Sequence, residues 1–411
     1  MSKNLKLGLF GFGCVGQGLY HVLHETHGVK AEIKKICVKH ADKKRPIDSS
    51  FFTISKSEIL NDPEIDVVIE LIDDSAAAFA IVKEALEKGK AVVTANKKMI
   101  AENFQELYEL QIKHNRPVLY EGSVCGSIPI IRNLEEYYDN DLISSIEGIF
   151  NGSTNYILTE IFDGRKSYHD ALKKAQELGF AESNPALDVK GFDAKYKLTI
   201  AIAHTFGVFV KPELIVNFGI DKISDVDLKY ARENGYTIKL IAQAFKQGNK
   251  VYGLVAPQFI ETTHLLANVR YEYNAVLVQG AFAEKQIFVG KGAGSYPTGS
   301  AVLSDVSALT YGYRYEYKKK EQDHLSFSND ASVDVVVSFT GDKVKPTDFI
   351  SFAGGYRGNG HQFLKGKITL EKLRQWADDD NISVILDADS KITPVEVLSL
   401  KDGSHNLLHA N

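Results

Sequence analysis

Cysteine is scarce. The 411 residues hold three, Cys14, Cys37 and Cys125, too few and too far apart for a disulfide framework or a thiolate metal site, as expected of a chain from a reducing cytosol. No apolar run is long enough to span a bilayer. The first one is short and runs into glycines, so no signal-peptide architecture is expected. An excess of positive charge is also missing. The 48 basic and 53 acidic side chains leave a net charge of −5, which offers nothing to nucleic acid or to an anionic membrane. Internal repeats and low-complexity tracts are absent. What is present, 44% hydrophobic and 25% charged residues, is ordinary for a globular protein of two or three domains.

The first 140 or so residues alternate strand and helix patterns, which predicts a doubly wound parallel sheet over residues 1–140. Strands are expected at Leu5–Phe10, Glu32–Val38, Ile65–Ile72, Lys90–Ala95 and Pro117–Glu121, with helices at Gln17–His24, Ala76–Glu87 and Glu102–His114. The pattern changes after Gly148. Asn151 opens a polar loop suited to capping a helix. Helices are expected at Asn155–Phe162, Tyr168–Glu177, Asp193–Thr205 and Ala301–Leu309, and antiparallel strands at Val251–Val255, Val269–Val278 and Ile287–Val289. This describes an α+β domain over 141–318. Tyr315–Asp330 reads as a charged linker, with Lys318–Glu321 solvated. Strands at Val333–Phe339 and Ile382–Leu386 around a helix at Leu370–Trp376 suggest a small α/β appendage over 330–411, without an assigned role.

The first strand leads directly into Gly11-Phe12-Gly13-Cys14-Val15-Gly16, the G-x-G-x-x-G spacing, and a helix follows. In that setting the first glycine allows the tight turn, the second lets a pyrophosphate approach the backbone, and the third lets helix and strand pack closely. A dinucleotide cofactor is therefore expected. The second strand ends Cys37-Val38-Lys39-His40, without the carboxylate that favours NAD, and Lys43, Lys44 and Arg45 follow. Lys39 and its basic neighbours point to NADP, with NAD as an alternative.

Three further clusters carry candidate chemistry. Lys97 stands just past a strand's carboxyl end, the edge at which open α/β sheets bind ligands. Glu182 and Asp188 precede a helix on which Asp193 and Lys197, four positions apart, share a face while Lys195 points away. Carboxylates around one lysine suit a substrate that carries an ammonium group and an oxygen exchanging a proton; a plain helix ion pair is the simpler alternative. Gly290, Gly292 and Gly294 before Pro297-Thr298 suggest backbone packed closely on a ligand or another segment.

Taken in order, these motifs, together with Thr94-Ala95-Asn96-Lys97 and Asn151-Gly152-Ser153-Thr154-Asn155-Tyr156-Ile157, resemble homoserine dehydrogenases over about residues 5 to 315. The resemblance implies reversible reduction of L-aspartate 4-semialdehyde to L-homoserine with NAD(P)H. It places Lys197 as acid/base, Lys97 and Asp193 beside it, Glu182, Asp188 and Thr154 on the substrate, and Gly294 near the cofactor. It also implies a sodium-type cation on the backbone oxygens of Glu121, Val124, Gly126 and Ile128, although Cys125 and Ser127 stand where glycine is more usual. A homodimer or higher homo-oligomer is implied as well. The acidic pair Asp73-Asp74 departs from the family, and residues 330–411 occupy the position of a regulatory ACT domain without a clear ACT signature. Oxidation of homoserine needs Lys197 neutral and is expected to favour alkaline pH. Two other readings remain open: a thioester-forming semialdehyde dehydrogenase acting through Cys125, and a nonenzymatic NADP-binding sensor.

Overall fold

Strand Leu5–Phe10 lies inside a six-stranded sheet with the order Phe52–Thr53, Ala31–Cys37, Leu5–Phe10, Val67–Glu70, Ala91–Thr94, Val118–Leu119. All neighbours are parallel. This computed structural model describes residues 4–40, 42–139, 142–322, 324–358 and 361–395. The expected boundary at 140–141 falls outside the described residues, as does the chain from 396 on. The strand order reverses between Leu5–Phe10 and Val67–Glu70, and such a switch point opens a crevice at the carboxyl ends of the strands. Val67–Glu70 is buried along its whole length, as a central parallel strand should be.

Helices Cys14–Glu25, Ser75–Glu87 and Phe104–His114 make the crossovers. The acidic pair after the fourth strand has a local reason: Asp74 caps helix Ser75–Glu87, its Oδ1 accepting the Ala77 N–H at 2.8 Å. The helix expected over Glu102–His114 is Phe104–His114, and a short unexpected helix, Lys97–Glu102, precedes it; Asn103 parts the two by leaving helical geometry, its side chain donating to the Met99 carbonyl.

The rest of the chain builds one larger sheet. Its order is Lys285–Lys291, Tyr273–Gly280, Ile143–Ile149, Tyr236–Gln247, Lys250–Glu261, Ile382–Leu386, Ala331–Phe339, His361–Thr369, Ser351–Gly358. The C-terminal strands join the body where Leu386 pairs with Gln258, and they share a core with Val216, Phe218, Tyr252, Leu254 and Ala256. That segment contains the expected strand–helix–strand and two further strands between them. Helix Phe192–Phe206, buried over most of its length, packs against both the body's sheet and helix Lys97–Glu102.

Two expectations need correction. Tyr315–Asp330 is no free linker: Tyr315 and Tyr317 are buried, Lys318–Gln322 is helical, and Ser326–Phe327 pairs with Lys250–Glu261. Nor is the lysine run wholly solvated. Lys319 is buried, and its ammonium is satisfied by the carbonyls of Leu134 and His204. Helix Ser295–Leu309 returns to the first domain and lies on helix Cys14–Glu25 at a glycine crossing. A Cβ on Gly18 would stand 2.0 Å from the Ser295 carbonyl oxygen, so neither helix tolerates a side chain there.

Candidate active site

Three segments that are remote in sequence converge beside the crevice. Lys97 begins its helix one turn past strand Ala91–Thr94, with Asn96 as cap: Asn96 Oδ1 accepts the Met99 N–H at 3.0 Å. Asp193 and Lys197 share one face of helix Phe192–Phe206, which starts after Gly191 with φ +81. Asn151 caps helix Gly152–Phe162, its Oδ1 accepting the Thr154 N–H at 2.8 Å.

Asp193 is the hub. Its Oδ1 lies 3.0 Å from Lys97 Nζ, and its Oδ2 lies 2.8 Å from Lys197 Nζ. Asn151 Nδ2 donates to Asp193 Oδ2 at 2.8 Å and to Asp188 Oδ1 at 2.7 Å. Lys197 Nζ also donates to the Phe150 carbonyl at 2.7 Å. Asp193 and Lys197 are buried, whereas the Lys97 side chain keeps 40% exposure and so lines the cleft. Lys195 turns away, over the ring of Phe192.

The charges order these groups. Burial opposes ionisation of Asp193, yet Lys197 and Lys97 hold its carboxyl well below the usual carboxylate range. Asp193 in turn raises Lys97 against burial, and Asp188 and Glu182 add to that effect. Burial, then the charge of Asp193, pushes Asp188 up to about 6. One carboxyl is therefore held in its charged form while burial and that charge raise its neighbour to about 6.

Glu182 lies exposed on the loop before Ala186–Val189, its carbonyl accepting from Gln176 at 2.9 Å. Thr154 is fully buried, its hydroxyl donating to the Asn151 carbonyl at 3.1 Å, which places it behind Asn151 rather than at the cleft surface. Asn151 is the residue the motif reading undervalued. The sequence marks it as a cap, and only the meeting of three segments makes it the tie between two carboxylates.

The glycine turn fits a dinucleotide. Gly11 has φ +92, and a Cβ there would stand 2.4 Å from the Leu71 carbonyl oxygen. A Cβ on Gly16 would meet the Gly11 carbonyl at 2.7 Å, but one on Gly13 would meet nothing within 4 Å, so the approach to the backbone is open there. No side chain caps helix Cys14–Glu25, which leaves the N–H groups of its first turn, from Cys14 and Val15 onward, available to an anion. Phe12 is buried edge-on against Phe52. Gly294 immediately precedes Ser295, whose hydroxyl donates to the Cys14 carbonyl at 2.8 Å, so the second glycine run reaches the first. Lys39 is exposed. Arg45 lies over Phe52, with its guanidinium on the carbonyls of His40 and Lys43.

The loop Glu121–Ile128 turns through two left-handed residues, Cys125 at φ +55 and Gly126 at φ +53. The Glu121 carbonyl accepts the Val124 N–H at 3.4 Å, and the Ile128 carbonyl accepts the Ile130 N–H at 2.8 Å. Among the described residues no cluster of three or more His, Cys, Asp or Glu forms a side-chain metal site. Cys125 is fully buried, and burial pushes its thiol up to about 11, the opposite of an activated nucleophile. The thioester reading is thereby disfavoured.

A family model described as the NAD binding domain of homoserine dehydrogenase matches residues 11–121, and one described as homoserine dehydrogenase matches 129–307. This chain belongs to the homoserine dehydrogenase family. A homoserine dehydrogenase of Helicobacter pylori is 40% identical over 315 residues, 74% of each chain. One of Bacillus subtilis is 37% identical over 321 residues, covering 76% of this chain and 74% of its own. The crystal structure of a homoserine dehydrogenase from Thiobacillus denitrificans superposes with a TM-score of 0.82 at 30% identity, covering 94% of this chain and 99% of that one. A hyperthermophilic archaeal homoserine dehydrogenase in complex with NADPH superposes with a TM-score of 0.64 at 26% identity, over 76% of this chain and 99% of its own. None of the helices described here is long and apolar enough to cross a membrane.

Proposed function

We propose that this chain catalyses the nicotinamide-dependent interconversion of L-aspartate 4-semialdehyde and L-homoserine, a step toward threonine and methionine. The observation that carries the reading is the shared carboxylate: Asp193 holds two lysines, 3.0 and 2.8 Å away, beside the switch-point crevice. Reduced nicotinamide, when bound, supplies hydride to the aldehyde carbon. The carbonyl oxygen then needs a proton and a cation beside it. Lys197 gives the proton, and in the reverse direction the same amine takes it back from the hydroxyl. Lys97 adds positive charge at the cleft, and Asp193 fixes both amines and offsets their repulsion. Glu182 and Asp188 hold the substrate ammonium. Thr154 acts through Asn151 as a positioning residue.

The backbone from Gly11 to Gly16 cradles the pyrophosphate, with Phe12 packed on Phe52 and Gly294 next to Ser295, whose hydroxyl reaches the Cys14 carbonyl. The missing carboxylate after Val38, with Lys39 exposed and Arg45 next to the loop, supports NADP over NAD. The backbone oxygens of Glu121, Val124, Gly126 and Ile128 are candidate ligands for a sodium ion, held by main chain alone. We assign residues 1–140 to cofactor binding, 141–318 to substrate binding and catalysis, and 330–411 to a further segment, of which the described strands join the sheet of that second body, acting in a cytoplasmic homo-oligomer.

The test is a spectrophotometric assay of nicotinamide reduction with L-homoserine and NADP, then NAD. Homoserine-dependent reduction is expected. Cofactor binding without turnover would favour the sensor reading and overturn this one.

A further inference from the structure

Glu70 is a glutamate with 0% exposure in the middle of a parallel sheet. The mechanism above does not use it. A carboxyl buried there costs free energy unless its oxygens are well occupied, and here each has a specific task. Glu70 Oε1 accepts the Ile72 N–H at 2.7 Å, and Oε2 accepts the Thr94 hydroxyl at 2.6 Å. Thr94 Oγ1 accepts the Asn96 N–H at 3.0 Å, and Asn96 Nδ2 donates to the Ile72 carbonyl at 3.0 Å. These four bonds close a ring: Glu70, Thr94, Asn96, Ile72 and back to Glu70.

The ring clamps the carboxyl ends of two neighbouring strands, Val67–Glu70 and Ala91–Thr94, in which Glu70 and Thr94 are direct register partners. It sits at the crevice, because Glu70 also pairs with Phe10, the residue before the fingerprint. On its other side the ring sets Asn96, which caps the helix whose first residue is Lys97. Lys97 is a long side chain on a two-residue turn, and its Nζ must reach Asp193 from another domain. Where that turn points decides whether the two meet.

We propose that Glu70 is a positioning residue for the reaction, acting through Thr94 and Asn96 to fix where Lys97 stands. This inference rests on the function proposed above. Both carboxyl oxygens serve the clamp, and neither is left over for substrate. An apolar residue would fill the space but leave the Ile72 N–H and the Thr94 hydroxyl unpaired.

The experiment cuts the ring with Thr94→Val and with Glu70→Ala, keeps it with Glu70→Gln, and asks whether the loss travels through Lys97. Thr94→Val removes the hydroxyl that joins Glu70 to Asn96 while conserving volume. Glu70→Gln keeps an acceptor for Ile72 and offers its amide to Thr94. Thr94→Val is expected to lower kcat/KM for homoserine by about tenfold, since small misplacements of a catalytic group are costly. NADPH affinity, read by fluorescence titration, is expected to stay near wild type, and Glu70→Gln is expected to recover most of the activity that Glu70→Ala loses. The deciding measurement is a double-mutant cycle. In a Lys97→Ala background Thr94→Val should cost almost nothing further. An undiminished loss in that background, or full activity in Thr94→Val with only a lowered melting temperature, overturns the proposal. If the wild type shows no homoserine-dependent nicotinamide reduction, the parent function fails instead, and the two failures are distinguishable.

Discussion

Removing the amine of Lys197 tests the core of the mechanism. In Lys197→Ala, Asp193 loses a partner at 2.8 Å and the Phe150 carbonyl loses its donor at 2.7 Å. At an effective dielectric of about 20 the attraction across that distance is about 6 kcal/mol before desolvation. Taking a buried ammonium out of the fold returns much of this, and Asp193 keeps Lys97 and Asn151. The net loss of stability is therefore expected near the lower end of what breaking a buried pair costs, about 3 kcal/mol. The kinetic loss is expected to be similar in free energy, and it is the one that tests the assignment. Without a proton donor beside the developing alkoxide, kcat should fall on the order of a hundredfold or more. The phosphate cradle belongs to the other sheet, so NADPH affinity should survive. The assay is initial-rate nicotinamide absorbance in both directions, with NADPH titrated by fluorescence and unfolding followed in denaturant. A variant that turns over like the wild type, with cofactor binding intact, refutes the acid/base assignment whatever happens to stability.

Asn151→Ala should lose the cap, worth about 1 kcal/mol, and untie Asp188 from Asp193, with kcat/KM down by about tenfold; an unchanged kcat/KM would reduce Asn151 to a cap alone. Asp188, pushed up to about 6 chiefly by burial, becomes neutral as pH falls through that value, so its hold on the substrate ammonium weakens below it. KM for homoserine should therefore rise on the acid side of about pH 6, and Asp188→Asn should raise KM at neutral pH and remove that limb; a limb that persists in the variant assigns it to another group. Lys39→Glu should shift preference from NADP toward NAD, read as the ratio of kcat/KM for the two cofactors, and an unaltered ratio would remove Lys39 from cofactor recognition.

The first domain was legible because its signals are local. A strand, a glycine turn and a helix are adjacent in sequence, and their alternation predicts the parallel sheet that the structure contains, except for its short edge strand Phe52–Thr53. Strands Ile143–Ile149 and Tyr236–Gln247 were not anticipated. The first mixes serine, glutamate and glycine with its apolar residues. The second carries Lys239, which is buried because its ammonium is bound by Asn155 Oδ1 at 2.9 Å and the Val269 carbonyl at 2.7 Å. A lysine with such partners reads in sequence as a surface residue. Strands Ser351–Gly358 and His361–Thr369 are diluted by glycine and lysine, which weakens any strand pattern. Lys319 misled for the same reason as Lys239: its partners are carbonyls of distant segments. In the site, the i, i+4 spacing of Asp193 and Lys197 is readable from the residues, whereas Lys97 joins them only through the family resemblance, since no spacing brings it to that carboxylate.

That reach depends on how the two bodies are joined. His204 lies on the helix of Lys197, two turns further on, with 0% exposure. Its Nδ1 meets Glu135 at 2.6 Å and its Nε2 meets the hydroxyl of Tyr120, which follows the last strand of the first sheet, at 2.8 Å. Tyr120 in turn meets Tyr317, on the segment that returns after helix Ser295–Leu309, at 2.8 Å, and Phe104 packs edge-on against this group. Buried polar groups joined this way have few alternative arrangements, because every broken bond leaves an unsatisfied atom. The helix bearing Asp193 and Lys197 is therefore pinned at its far end to the sheet whose other strands carry Lys97 and the glycine turn. A carboxylate can serve two lysines from two domains only if that joint is rigid. The segment that reads as a charged linker supplies Tyr317, the fourth member of the joint, and so it helps hold the catalytic helix in place.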